Sequence, residues 1–225
     1  MRLLVITCFV LMIPSLAVAR PRPRRAQSAG APWNGTLHHA TRLPDNDTQY
    51  HLRRPWRAFG TRTTVARIER AIAAVRRTFP KAHVLAIGDL SAERGGAISG
   101  HRSHQSGRDV DLGLFYKVVP ANYPRDFVSA TAGNLDCAAT FALIEQLAAT
   151  SGDADGVQVM FLDFGVQELV YRWARGRGTS ERRLARLFQY PHGRGASGGL
   201  VRHIANHDDH LHVRFKCPSG ATSCR

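Results

Sequence analysis

Two short segments, widely separated in the chain, constrain its fold more than anything else in it. In the first, Asp109, Asp111 and Gly113 alternate with Val110, Leu112 and Leu114. In the second, His210, His212 and Arg214 alternate with Leu211, Val213 and Phe215. Successive side chains of a strand leave on opposite faces, so each segment reads as a strand with one buried apolar row and one row of ionisable groups. Two neighbouring strands of this kind would make a wall of ligands.

The rest of the pattern supplies the setting. Val65, Ile68, Ile72, Val75 and Phe79 recur at steps of three and four, which predicts a helix from Thr63 that Pro80 ends. Further helices are expected at Asp136–Ala149, Val166–Ala174 and Ser180–Phe188, and short apolar strands at Val84–Ile87 and Val157–Leu162. A glycine-rich connection from Gly95 to Gly100 leads into the first histidine cluster. Without regular strand–helix–strand alternation, the expected class is α+β: one domain, with a small antiparallel sheet carrying the site and helices around it.

The N-terminus reads as a leader. Arg2, an apolar run from Leu3 to Leu16 and the small-x-small Ala17-Val18-Ala19 make residues 1–19 a signal peptide, too short to span a bilayer. Export to the periplasm or beyond follows. Residues 20–50 begin R-P-R-P-R-R, continue Ser-, Gly-, Pro- and Asn-rich to Thr36, and are expected to be basic and irregular; residues 51–225 are expected to form the catalytic domain. Lys and Arg number 31 against 17 acidic residues, a field that attracts polyanions without identifying them. Export disfavours nucleic acid, for which no recognition motif is present, and no segment suggests an integral membrane protein. Oligomeric state is not encoded legibly.

Loss of Cys8 with the leader leaves Cys137, Cys217 and Cys224 in a compartment that permits disulfides. Cys217 with Cys224 is the economical pair, and Cys137, in an Ala-rich helical stretch, reads as a small hydrophobe.

Of the 11 histidines, His101 and His104 form one cluster, and His192, His203, His207, His210 and His212 another. Imidazole nitrogen and carboxylate oxygen suit zinc, and three protein ligands with an open fourth position mark a catalytic site. No H-E-x-x-H occurs, so the helical zinc-protease motif is excluded. The run Gly195-Ala196-Ser197-Gly198-Gly199 formally fits a nucleophile elbow but lacks a preceding apolar strand. Arg94, Arg102 and Arg214 are candidates to meet substrate carboxylates, with solvated arginine the commoner outcome.

The segment G-H-R-S-H-Q-S-G-R-D-V-D at 100–111 together with H-D-D-H-L-H-V-R-F-K-C-P at 207–218 closely resembles the penicillin-insensitive murein endopeptidases, as do R-R-P-W-R-A-F-G-T at 53–61 and G-D-L-S at 88–91. The resemblance implies a zinc peptidase of peptidoglycan with His104, Asp111 and His212 as ligands. It implies a catalytic role for His210 and an active-site role for His207. His101 matches the histidine three positions before the first ligand, a residue for substrate or a second metal ion, and the Cys217–Cys224 pair fits a disulfide after the second motif. For Asp109 two readings stay open, an acceptor that orients a ligand histidine and an ordinary loop or surface hydrogen bond, and Asp208 and Asp209 are similar cases.

The expected reaction is cleavage of D-alanyl to diaminopimelate crosslinks in peptidoglycan. A D-alanyl-D-alanine carboxypeptidase with the same metal chemistry and a non-catalytic, basic peptidoglycan-binding protein are the alternatives.

Overall fold

The computed structural model describes residues 27–225; the leader and the basic tract that follows it lie outside them. The elements run β1 (Gln27–Ala31), β2 (Asn34–His38), β3 (Thr41–Arg42), β4 (Tyr50–Leu52), β5 (Phe59–Gly60), α1 (Arg62–Thr78), β6 (Leu85–Ile87), β7 (Asp109–Gly113), α2 (Cys137–Ala148), β8 (Val157–Phe161), α3 (Phe164–Gly176), α4 (Glu181–Leu187), β9 (Val201–Arg202) and β10 (His210–Phe215).

Six strands form the central sheet in the order β4-β6-β7-β10-β8-β9. Its centre, from β6 through β7 and β10 to β8, is antiparallel, as expected. Its two edge pairs, β4 with β6 and β8 with β9, are parallel, so the sheet as a whole is mixed. The edge strands β4 and β9 span only three and two residues, too few to leave a periodicity in the sequence.

Helix α1 starts where Thr61 Oγ1 accepts the Thr64 N–H at 3.1 Å, and its stripe of Val65, Ile68, Ile72 and Val75 is buried. Asp136 caps α2 by accepting the Ala138 and Ala139 N–H groups, and Asp163 caps α3 through the Gly165 N–H. The helices and the apolar rows of β7 and β10 share one core: Ile68, Ile72, Leu143, Ile144 and Val170 cluster with Val110, Leu112, Leu211 and Val213, all fully buried. Burying a side chain of this size is worth about 1.5–3 kcal/mol, so the apolar rows of β7 and β10 anchor the polar rows on the opposite face. No helix among the described residues is long and apolar enough to cross a membrane.

The stretch up to Thr36, read as irregular, is corrected from Gln27 onward: β1 and β2 form an antiparallel hairpin. It is held from outside rather than by apolar alternation of its own. Gly30 N–H donates to Ser223 O, Arg225 N–H to Gly30 O, Leu37 N–H to Arg94 O and Gln105 N–H to Pro32 O. The hairpin thus ties the C-terminal segment to the loop before β7. Cys217 and Cys224 are disulfide-bonded, with Cα atoms 5.7 Å apart. Cys137 is a free, half-buried thiol at the start of α2, and burial pushes its pKa up.

Candidate functional site

In the antiparallel pairing of β7 with β10, His212 sits opposite Asp111, Arg214 opposite Asp109 and His210 opposite Gly113. Asp109, Asp111, His210, His212 and Arg214 therefore share one face, opposite the core. His104 joins them from the loop before β7. It occupies the left-handed region at φ 66°, where a non-glycine residue stays only if its surroundings demand it. Two bonds do so: its backbone N–H donates to Asp109 Oδ2 at 2.9 Å, and its Nδ1 lies 2.9 Å from Leu90 O.

A carbonyl oxygen can only accept, so His104 carries its hydrogen on Nδ1 and turns the Nε2 lone pair inward. His212 is arranged in the same way, with Nε2 3.2 Å from Asp109 Oδ1 and Nδ1 facing the site. Three acceptor atoms then converge. His104 Nε2 to Asp111 Oδ1 is 3.3 Å, His212 Nδ1 to Asp111 Oδ1 is 3.1 Å, and His104 Nε2 to His212 Nδ1 is 3.2 Å. Asp111 Oδ1 is buried and accepts no hydrogen bond. Tetrahedral ligands at 2.0–2.1 Å from one zinc stand about 3.3–3.4 Å apart, so the triangle has the edges such an ion requires.

The charges agree. Asp109 and Asp111 are buried beside Arg214 and two imidazoles. Burial would raise both carboxyls, but the His212 and His104 rings reverse this and hold both well below the usual carboxylate range. Burial would lower His212, yet Asp109 and Asp111 raise it to about 9. With neutral imidazoles the cluster is one positive charge short, so it is built to hold a proton or a cation.

His101 brings a further ligand atom: His101, His104 and Asp111 each offer one within 4.8 Å of the others, which makes them a possible metal-binding triad. The His101 Nε2 lies 2.8 Å from Asp89 Oδ2, and its Nδ1 is 3.8 Å from Asp111 Oδ2. Asp89, fully buried, also accepts from Arg54 and Arg57 at 3.0 and 2.9 Å. Burial would raise its pKa, but the His101 hydrogen bond and these guanidiniums hold it down.

His210 stands beside the triangle, with Nε2 3.8 Å from Asp111 Oδ1 and Nδ1 2.5 Å from Asp209 Oδ1. Its ring stacks on Phe127 at 4.9 Å, and Arg53 covers the same phenyl ring at 4.1 Å. The His207 ring lies 4.6 Å from that of His210, and burial lowers its pKa. Five of the seven singled-out residues, His101, Asp111, His207, His210 and His212, thus line one cleft of about 660 Å³ together with Trp33, Phe161 and Arg214, and His104 and Asp109 are buried behind it.

Sequence reasoning missed Phe127, in a loop without periodicity, and Trp33, in the segment read as irregular. Asp89 stood only in the G-D-L-S resemblance, with no role attached. Asp209, left undecided beside Asp208 as a surface or orienting carboxylate, is now seen to hold His210.

Imidazoles and carboxylates at the floor of an open cleft, on the antiparallel centre of an α+β sheet, define the class as a hydrolase-type site able to take a cation. The chain belongs to the penicillin-insensitive murein endopeptidase family, whose characteristic sequence matches residues 28–150, more than half of its length. That match includes His101, His104, Asp109 and Asp111. Relatives extend it through the second motif. The penicillin-insensitive murein endopeptidase of Pectobacterium atrosepticum is 27% identical over 222 residues, covering 94% of this chain and 72% of the relative. Those of Klebsiella pneumoniae strain 342 and Citrobacter koseri are each 26% identical, covering 94% and 99% of this chain and 74% and 78% of their own lengths.

Proposed function

We propose that this chain is an exported zinc-dependent endopeptidase that hydrolyses D-alanyl to diaminopimelate crosslinks of peptidoglycan, with His104, Asp111 and His212 as metal ligands. The observation that carries this reading is the triangle of three inward lone pairs with edges of 3.1–3.3 Å, one corner of which is the orphaned Asp111 Oδ1. A zinc ion held there would polarise the scissile carbonyl and lower the pKa of water from 15.7 towards about 7.

The remaining work falls to side chains. Asp109 holds both ligand histidines, His212 through its ring and His104 through its backbone, so the triangle is set before substrate arrives. His210 takes the proton of the attacking water on Nε2 and returns it to the leaving amine. Asp209 at its Nδ1 and Phe127 against its ring keep that nitrogen aimed at the site. His207, packed at 4.6 Å against the ring of His210, gives its Nδ1 hydrogen to the Ala205 carbonyl at 3.0 Å and so keeps Nε2 as an acceptor for a substrate N–H. His101 and Asp89 line the same side and orient substrate. The catalytic unit is the domain at 51–225 completed by the hairpin that brings Trp33 to the cleft, and residues 1–19 direct it to the periplasm or beyond.

Metal analysis paired with digestion of purified crosslinked muropeptides tests the reading. The expected result is one zinc per chain, cleavage of dimers to monomers, and loss of both in His104→Ala and His212→Ala. Dimers that persist with zinc-loaded protein would reject the reaction; release of free D-alanine from monomers with dimers untouched would replace it with a carboxypeptidase.

A further inference from the structure

Arg214 is a cation fixed in the cleft that this chemistry leaves unused. It follows His212 by two residues on the same face of β10, and its Nε donates to Asp109 Oδ1 at 2.7 Å. Its guanidinium carbon lies 5.8 Å from the Trp33 ring on the β1–β2 hairpin and 5.8 Å from the Phe161 ring on β8. Among the described residues neither Nη group has an acceptor, and the side chain, 13% exposed, opens onto the cleft.

A guanidinium anchored through Nε and flanked by aromatic rings has lost most of its rotamer freedom while its Nη donors stay open. A planar fork of this kind matches a carboxylate, and its partial burial strengthens the pairing. Arg94 and Arg102 offer nothing comparable, since both side chains are exposed.

We propose that Arg214 is a carboxylate subsite that reads the acid group on the amine side of the scissile bond. The inference rests on the endopeptidase reading of the site and names what that site selects. A strand rises about 3.3 Å per residue, so the Arg214 Cα lies about 6.6 Å along β10 from that of His212. In a D-alanyl to diaminopimelate link, the amine released by cleavage and a free carboxylate are borne by the same carbon. With the scissile carbonyl over the His104–Asp111–His212 triangle, that carboxylate falls one side-chain repeat along the strand, where the fork stands. Trp33, on the hairpin, borders the subsite from outside the sheet.

The test compares two crosslinked muropeptide dimers, one with this carboxylate free and one with it as the primary amide, on the zinc-loaded protein. Wild type is expected to prefer the free acid at least about tenfold in kcat/KM, because the amide leaves the fork unpaired. Arg214→Gln is expected to raise KM on the acid, keep its zinc, and cut both dimers at rates within about twofold of each other; Arg214→Lys, which keeps charge but not the fork, falls between. Trp33→Ala, at an exposed hairpin tip, should narrow the preference without touching the Asp109 network, and stands in if Arg214 variants do not fold. Equal cleavage of the two dimers by wild type, or a preference that survives in Arg214→Gln, overturns the subsite and leaves the endopeptidase standing. Cleavage of neither dimer by wild type overturns both.

Discussion

Asp109 makes no contact with the proposed ion, yet replacing it with Asn should weaken the site more than most changes in the chain. Its carboxylate is fully buried and accepts three hydrogen bonds: from His104 N–H at 2.9 Å, from His212 Nε2 at 3.2 Å and from Arg214 Nε at 2.7 Å. Asn keeps one oxygen, which can serve His212 and Arg214, but presents an NH2 group to the His104 N–H. One buried donor is then unpaired, costing about 1–3 kcal/mol, and the counter-charge to Arg214 is gone, with a further loss of about 1 kcal/mol or more. A total of about 2–4 kcal/mol corresponds, for a domain of this size, to a fall in Tm of roughly 5–15 °C. The same change frees His104 from its left-handed backbone position and lets the His212 ring turn. Zinc affinity should therefore drop about 10–100-fold, the usual effect of removing an orienting partner. Competition against a chromophoric chelator measures the affinity, and thermal unfolding with excess zinc and with excess chelator separates the two effects, because ligand binding adds its own stabilisation. A variant that holds zinc as tightly as wild type and melts at the same temperature would refute the role given to Asp109.

Three further outcomes can be checked more briefly. His210→Ala should retain one metal ion per chain but lose about 10²–10⁴ in kcat on crosslinked muropeptides; metal loss alongside the activity would move His210 into the ligand set. Gly88→Ala would bring a Cβ to 2.8 Å from Phe127 Cζ and 3.0 Å from Asp111 Cβ. It should lower kcat up to about 100-fold with little change in Tm, as Phe127 and the ligand are pushed from place. His83 is packed among Phe115, Tyr116 and Tyr123 with Nδ1 2.8 Å from Val84 O, while Nε2 accepts the Tyr116 N–H. Burial lowers its pKa, so the unfolded chain binds the proton more readily, and this residue's contribution to stability is present above about pH 6.5 and falls away on acidification below it. His83→Gln cannot protonate there. Its deficit in urea unfolding at pH 7.5 should shrink by pH 5, and a deficit that is constant or grows would contradict the neutral assignment.

What the sequence made legible follows a physical division. The alternation in 109–114 and 210–215 specified which residues face together, because a shift of one residue would have turned every apolar side chain to the wrong face. The observed register, Asp111 against His212 and Asp109 against Arg214, is the one in which both apolar rows reach the core. The α1 stripe was legible for the same reason, and its helix begins within one residue of the expected start. Cys217 and Cys224 were close enough in the chain to be paired by economy alone.

The features that escaped are those whose cause lies elsewhere in the molecule. The hairpin from Gln27 to His38 shows no strong alternation because its strands are held by backbone bonds to Arg94, Gln105, Ser223 and Arg225, groups that no local window contains. Phe127 became part of the site only through the loop that lays it on His210. The tautomer of His104 depends on a carbonyl at Leu90, and carbonyls carry no sequence signal at all. These contacts share a consequence for the chemistry. Two of the three proposed ligands, Asp111 and His212, are written into strands, whereas His104, the orientation of both histidines, the aim of His210 and the placement of Trp33 over Arg214 depend on loops and a hairpin packed from outside the sheet. Substitutions at the strands should therefore abolish the site, and substitutions at Phe127 or Trp33 should change its rate or its choice of substrate while the sheet stays folded.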